Sequence, residues 1–136
     1  LEAVMAGVDI RFIQVIRNPF DVISVMMVRG KRSFANSISH YFTNCEALVK
    51  IRQQAGTNLL AMRYEDFVSH PERNLVLLCN FLGVEPHTDY LQACASIIHA
   101  EPDRSREMVE WTPLWKQVVL DHSAKYEFLK GYGFDT

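Results

Sequence analysis

The stretch RFIQVIRNPFDVISVMMV, Arg11 to Val28, decides the fold. Its first half, Phe12-Ile13-Gln14-Val15-Ile16, is a short apolar run with the β-branched content of a buried parallel strand. Arg17 and Asn18 follow, and Pro19 opens an amphipathic segment, Phe20 to Val28, that reads as a helix. Proline at the first helical position loses nothing, because that N–H has no intrahelical partner, and Asn18 is a good N-cap. A strand turning sharply into a helix leaves free amide N–H groups and a positive dipole end at the strand's C-terminal edge. Arg17 adds a permanent charge and a fork of donors there. Together these are the ingredients of a phosphate site.

Outward from this stretch, composition sets the bounds. The chain has 136 residues, 49% of them hydrophobic, enough for one domain with a real core. Net charge is −2. That gives no general attraction to nucleic acid or anionic membrane, so any phosphate binding must be local. No apolar run approaches the ~18 residues of a membrane span, and no signal peptide is visible. Cys45, Cys79 and Cys94 are scattered through apolar contexts without metal-ligand spacing. They read as reduced core thiols, and so as a cytoplasmic protein. The chain opens at Leu1 rather than Met, with a strand almost at once, which suggests a piece of something longer.

Taken in order, residues 1–6 read as a helix tail closed by Gly7. Arg29-Gly30-Lys31-Arg32 is a basic loop, either a solvated helix end or a second contact to an anion. Ser33 caps a long helix to about Gln54, one face of which (Phe34, Ile38, Tyr41, Phe42, Cys45, Leu48, Val49 and Arg52) is expected against a sheet. His40 on that helix reads as packing or surface rather than as a base. Leu59 to Tyr64 is a second buried strand, so strand, helical crossover and strand make a parallel βαβ unit. Glu65 and Asp66 brace a loop or cap the next helix, which starts at Pro71 and ends at Gly83. Short helices follow over 91–98, 114–120 and 121–130, with Asp103-Arg104-Ser105-Arg106 as a polar loop.

Three of these segments resemble hallmarks of the sulfotransferases that use 3'-phosphoadenosine 5'-phosphosulfate (PAPS). Arg17-Asn18-Pro19-Phe20-Asp21 after a strand resembles the family's 3'-phosphate motif. The resemblance implies that Arg17 and a serine in the following helix hold that phosphate. Here the serine is Ser24, seven residues beyond Arg17, whereas the family's usually lies eight beyond, where this chain has Val25. The run RYEDFVSHPERNLVLLCNFLGVEP resembles a second hallmark and implies that Tyr64 lies against the adenine ring. Arg104 or Arg106, ahead of Trp111, corresponds to a basic loop that reaches back to the 3'-phosphate, without the family's glycine-rich wording. The ending LKGYGF is similar to that of many bacterial members.

What the resemblance implies is an α/β fold: one partial domain of P-loop-NTPase-like three-layer αβα architecture, truncated, helix-rich and with few parallel strands. The implied reaction moves a sulfuryl group from PAPS to a hydroxyl or amine of an unknown small-molecule or glycan acceptor. It leaves adenosine 3',5'-bisphosphate and calls for no metal. The glycine-rich loop that cradles the 5'-phosphosulfate has no counterpart, since Gly30-Lys31 lacks both a preceding strand and the glycine spacing. No catalytic residue is assigned. The chain is therefore expected to carry the 3'-phosphate and adenine side of the site, to be inactive alone, and to form a homodimer through its exposed sheet edge. Two other readings stand beside this one: another nucleotide-binding α/β protein, such as a P-loop kinase, and a non-enzymatic helical interaction module.

Overall fold

A computed structural model of the chain describes residues 10–98 and 101–136. The helix tail expected at 1–6, with Gly7, lies outside the described residues. The chain divides into two compact units, Leu1–Val15 with Ile51–Glu101, and Ile16–Lys50 with Pro102–Thr136.

In the first unit, β1 (Phe12–Ile16, belonging here through Val15) pairs with β2 (Leu59–Arg63) in a parallel two-stranded sheet. The α/β reading and both strand positions hold. Burial on both faces of β1 does not. Gln14 is 4% exposed, whereas its neighbours Ile13 and Val15 are 44% and 61% exposed. A parallel strand loses both faces to the interior only where layers cover both sides, and the described residues leave the Ile13–Val15 face open. Gln14 is held inside by Arg52, whose Nη1 donates to its Oε1 at 2.9 Å.

Beyond β2 the chain winds into the short helix α3 (Tyr64–Ser69) and then α4 (Pro71–Leu82). Asp66 braces this junction, accepting from Arg73 Nη2 at 2.5 and 2.6 Å and from Asn74 Nδ2 at 3.0 Å. Those bonds, Arg73's first, hold its carboxyl below the ordinary carboxylate range. Gly83 ends α4 in the left-handed region at φ 73°, which lets Val84 N–H reach back to the Cys79 carbonyl at 2.9 Å. Helix α5 (Thr88–Ser96) starts three residues ahead of the expected 91–98.

The second unit holds α1 (Pro19–Gly30), α2 (Phe34–Ala55, through Lys50), a 3-10 turn at Ser105–Met108, α6 (Pro113–Ser123) and a 3-10 turn at Glu127–Leu129. Both expected caps are present. Asn18 Oδ1 accepts from Phe20 N–H at 3.0 Å, and Ser33 Oγ from Asn36 N–H at 3.3 Å. The aromatic partners of α2 come from the C-terminal segments rather than from a sheet. Phe34 stacks on Trp115 and meets Trp111 edge-on, and Phe42 stacks on Tyr126. One expectation fails near the C-terminus. Helix α6 runs through Asp121 and His122, which bond back to Gln117 and the Val118 carbonyl, and no helix spans 121–130. Tyr126 leaves helical geometry at φ −117°, ψ 115°, where its ring lies on Phe42.

All three cysteines are unpaired thiols, with Cys45 and Cys79 buried and Cys94 half-buried. Burial pushes the Cys45 thiol up to about 11. Among the described residues no helix is long and apolar enough to cross a membrane.

Phe20 is the centre of the second unit's core. It is fully buried, 5.0 Å edge-on from Trp111 and 5.3 Å from Phe134. Phe20→Ala is expected to lower stability by about 3–5 kcal/mol, read as a shift of the urea unfolding midpoint at constant slope.

Candidate anion-binding site

The turn between β1 and α1 was expected to offer free amides. Pro19 has none, Phe20 N–H is taken by the Asn18 side chain, and Asp21 and Val22 N–H bond the Asn18 carbonyl at 3.1 and 3.2 Å. Asn18 is itself fully buried, donating through Nδ2 to the Gly133 and Thr136 backbone oxygens at 2.9 and 3.1 Å. The start of α1 is thus sealed by the 133–136 tail, and side chains must supply attraction for an anion.

Arg17 supplies the nearest charge. Its Nη2 donates to the Asp103 carbonyl at 2.6 Å and to Ser105 Oγ at 3.1 Å, and lies 3.5 Å from Asp103 Oδ2. The residues gripped, Asp103 and Ser105, flank Arg104 in sequence. Arg104 itself is half-exposed and pairs with Glu107 at 3.2 Å.

Arg106 is placed differently. The polar loop expected here turns inward, leaving Ser105 and Arg106 each 2% exposed. Arg106 Nε and Nη2 donate to the two oxygens of Asp21 at 2.9 and 2.7 Å, and its backbone N–H adds a third bond at 2.8 Å. Nη1 donates to the backbone oxygens of Gly133, Phe134 and Thr136. Every guanidinium nitrogen is engaged with protein. Ser24 is also fully buried, and its hydroxyl accepts from Trp111 Nε1 at 3.0 Å. A one-residue offset turns a helical side chain by about 100°, and Ser24, one step short of the family's usual position, faces the core.

Sequence reasoning had singled out neither Asp21 as a partner nor Asp103 and Ser105. A signal for the first existed: Asp21 sits between Phe20 and Ser24 on the inward arc of α1, and a carboxylate there requires a buried cation.

Tyr64, the residue expected against adenine, belongs to the first unit. It is half-buried at the start of α3 and lines an apolar cavity of about 450 Å³ with Ile13, Val15, Met62, Phe67 and Leu78. His40 is exposed rather than packed, beside Asn36 and Thr43 in a shallow polar depression. Gly30-Lys31 lies at the C-terminal end of α1, with Lys31 left-handed at φ 48°. That is the negative end of a helix dipole, opposite to the end a phosphate-cradling loop requires. Among the described residues no cluster of His, Cys, Asp and Glu could hold a metal ion.

A model of the sulfotransferase family matches residues 9–89, more than half of the chain. The match covers β1, the Arg17 turn, helices α1 to α4 and β2. This chain belongs to the sulfotransferase family, whose members transfer sulfuryl groups. Searches of curated proteins and of solved structures return no match.

Removing the charge of Asp21 tests the buried pair directly. Asp21→Asn leaves the Arg106 cation buried without its counter-charge, so a loss of about 3–5 kcal/mol is expected. Chemical unfolding followed by tryptophan fluorescence measures it, since Trp111 packs against α1.

Proposed function

We propose that this chain forms the 3'-phosphate and adenine side of a sulfotransferase site that takes PAPS as donor. The observation that carries the reading is Arg17. It stands at the β1–α1 turn, keeps part of its side chain at the surface, and holds the segment bearing Arg104. In this reading Arg17 and Arg104 contact the 3'-phosphate, while Arg106 and Ser24 support them from inside through Asp21 and Trp111. The fit to the nucleotide rests on guanidinium charge, because the amides of the α1 turn are already bonded. Tyr64 is proposed to meet the adenine ring, supported by its apolar, cavity-lining position in the first unit. An aromatic face of this kind contributes about 1–3 kcal/mol per stacked base.

The nucleotide supplies the activated sulfuryl group; the residues named here bind and orient. Contacts to the 3'-phosphate and adenine hold donor and product alike, so they contribute uniform binding and lower KM without lowering the chemical barrier. The sequence carries no glycine-rich loop for the 5'-phosphosulfate, where charge develops. The acceptor, a hydroxyl or amine on a small molecule or glycan, and the acceptor base are left unassigned. The wider architecture proposed is a partial P-loop-like αβα domain, and the unpaired thiols favour a reducing, cytoplasmic setting.

Arg17→Ala should weaken adenosine 3',5'-bisphosphate by about ten- to a hundredfold, the loss of a charge-assisted hydrogen bond. Calorimetric titration measures it, with ATP as the comparison nucleotide. Equal affinity of parent and variant would sink the assignment. Radiolabelled PAPS offered with phenols, alcohols and amines should give no transfer by these 136 residues above a protein-free blank.

We also infer a homodimer. Each strand of the two-stranded sheet has one edge without a strand neighbour among the described residues, and Ile13 and Val15 are exposed beside it. Light scattering at micromolar concentration should return twice the chain mass, and Val15→Lys should return it to a single chain.

A further inference from the structure

Both surface arginines of the candidate site already hold a carboxylate from the segment 103–107. Asp103 Oδ2 lies 3.5 Å from Arg17 Nη2 and also accepts from Ser105 Oγ at 2.9 Å. Glu107 Oε1 lies 3.2 Å from Arg104 Nε. The carboxylates are 65% and 67% exposed, in contrast to the 2% of Asp21 beneath Arg106. Exposed pairs of this kind contribute little to stability. Asp103 and Glu107 are thus poorly explained as staples of the fold, which the buried pair already provides. What they do is present anionic oxygen at the two cations left at the surface.

We propose that Asp103 at Arg17, seconded by Glu107 at Arg104, is an internal competing anion that sets the affinity of these arginines for a 3'-phosphate and its preference over nucleotides lacking one. The inference rests on the bisphosphate reading above. In the free chain the Asp103 carboxylate, steadied by Ser105, stands 3.5 Å from Arg17 Nη2, beside the Asp103 carbonyl that the same nitrogen bonds at 2.6 Å. A 3'-phosphate must displace it and then tolerate it nearby. A dianion with three acceptor oxygens has the charge and geometry to do so against an exposed monoanion. A nucleotide without a phosphate at that position gains nothing that Asp103 does not already supply. Asp103 therefore lowers affinity for the ligand that carries the 3'-phosphate and leaves those lacking it unaffected, which narrows the preference between them.

The test uses the full chain and two probes, adenosine 3',5'-bisphosphate and adenosine 5'-monophosphate, titrated calorimetrically into the parent, Asp103→Asn, Asp103→Ala and Glu107→Gln. Asp103 is exposed, so both of its variants should keep the parent's near-ultraviolet circular dichroism. The expected result is bisphosphate binding about three- to fivefold tighter in both Asp103 variants, the scale of an exposed ion pair. The monophosphate should be unchanged, Glu107→Gln should show a smaller gain, and the gains should shrink as salt is raised. If the parent binds the bisphosphate and the Asp103 variants bind it equally or more weakly, the competing-anion role is overturned while the site assignment stands. A gain shared by both nucleotides overturns it too, because a general change of field then explains the result. If neither parent nor variants bind the bisphosphate, the assignment itself fails and this inference falls with it.

Discussion

The buried Asp21–Arg106 pair is the interaction on which the rest of the second unit depends. A carboxylate on the inward face of α1 could not remain there unmatched, and a guanidinium supplies two parallel donors in the matching geometry. Arg106 has a third nitrogen left over, and the backbone oxygens of residues 133–136 occupy it. One cation thereby joins three stretches of chain: the first turn of α1, the 3-10 turn at Ser105–Met108 and the tail. The placement of Ser105 beside Arg17 follows from this, because its neighbour Arg106 is anchored.

Around that polar centre the core is aromatic. Phe20, Phe34, Trp111 and Phe134 meet mostly edge-on, an arrangement that favours the electropositive ring edge against a neighbour's π face. Trp111 is the point where the two systems touch: its ring packs in the aromatic cluster while its N–H finds Ser24. Lys116 lies over the Phe134 ring at 3.4 Å, adding a cation–π contact on the tail. Position and charge at the surface arginines are consequences of this interior.

Much of the local structure was legible in the sequence because local rules decide it. Phe12–Ile16 is a strand, Asn18-Pro19 starts a helix, Ser33 caps α2 and Gly83 stops α4, each for reasons contained within a few residues. Long-range partnerships were not legible. Nothing within four residues of Arg106 distinguishes it from Arg104, yet one is buried and the other half-exposed, since the difference is made by Asp21, 85 positions away. Ser24 went inward for a similar reason, its hydroxyl matched to an indole 87 positions away. The end of α6 was misjudged because Tyr126 answers to Phe42 rather than to its own neighbours. Residue type identified the chemistry of the site, and tertiary contact decided which members stand at the surface.

The sealing of the α1 start by the 133–136 tail has a consequence for the order in which the chain is made. Asn18 finds its carbonyl partners 115 and 118 positions later, and the two halves of the second unit are separated in sequence by residues 51–101 of the first. During synthesis α1 and α2 emerge with their inward faces uncovered while β2, α3, α4 and α5 are still being added. Contacts of such separation carry a large loop-closure cost before they return any stability. The first unit has all its pieces by Glu101, whereas in the second Asp21 must wait for Arg106 and Phe20 for Trp111 and Phe134. Over that interval the apolar faces of α1 and α2 lack their native cover, and chaperone capture or misassociation competes with folding.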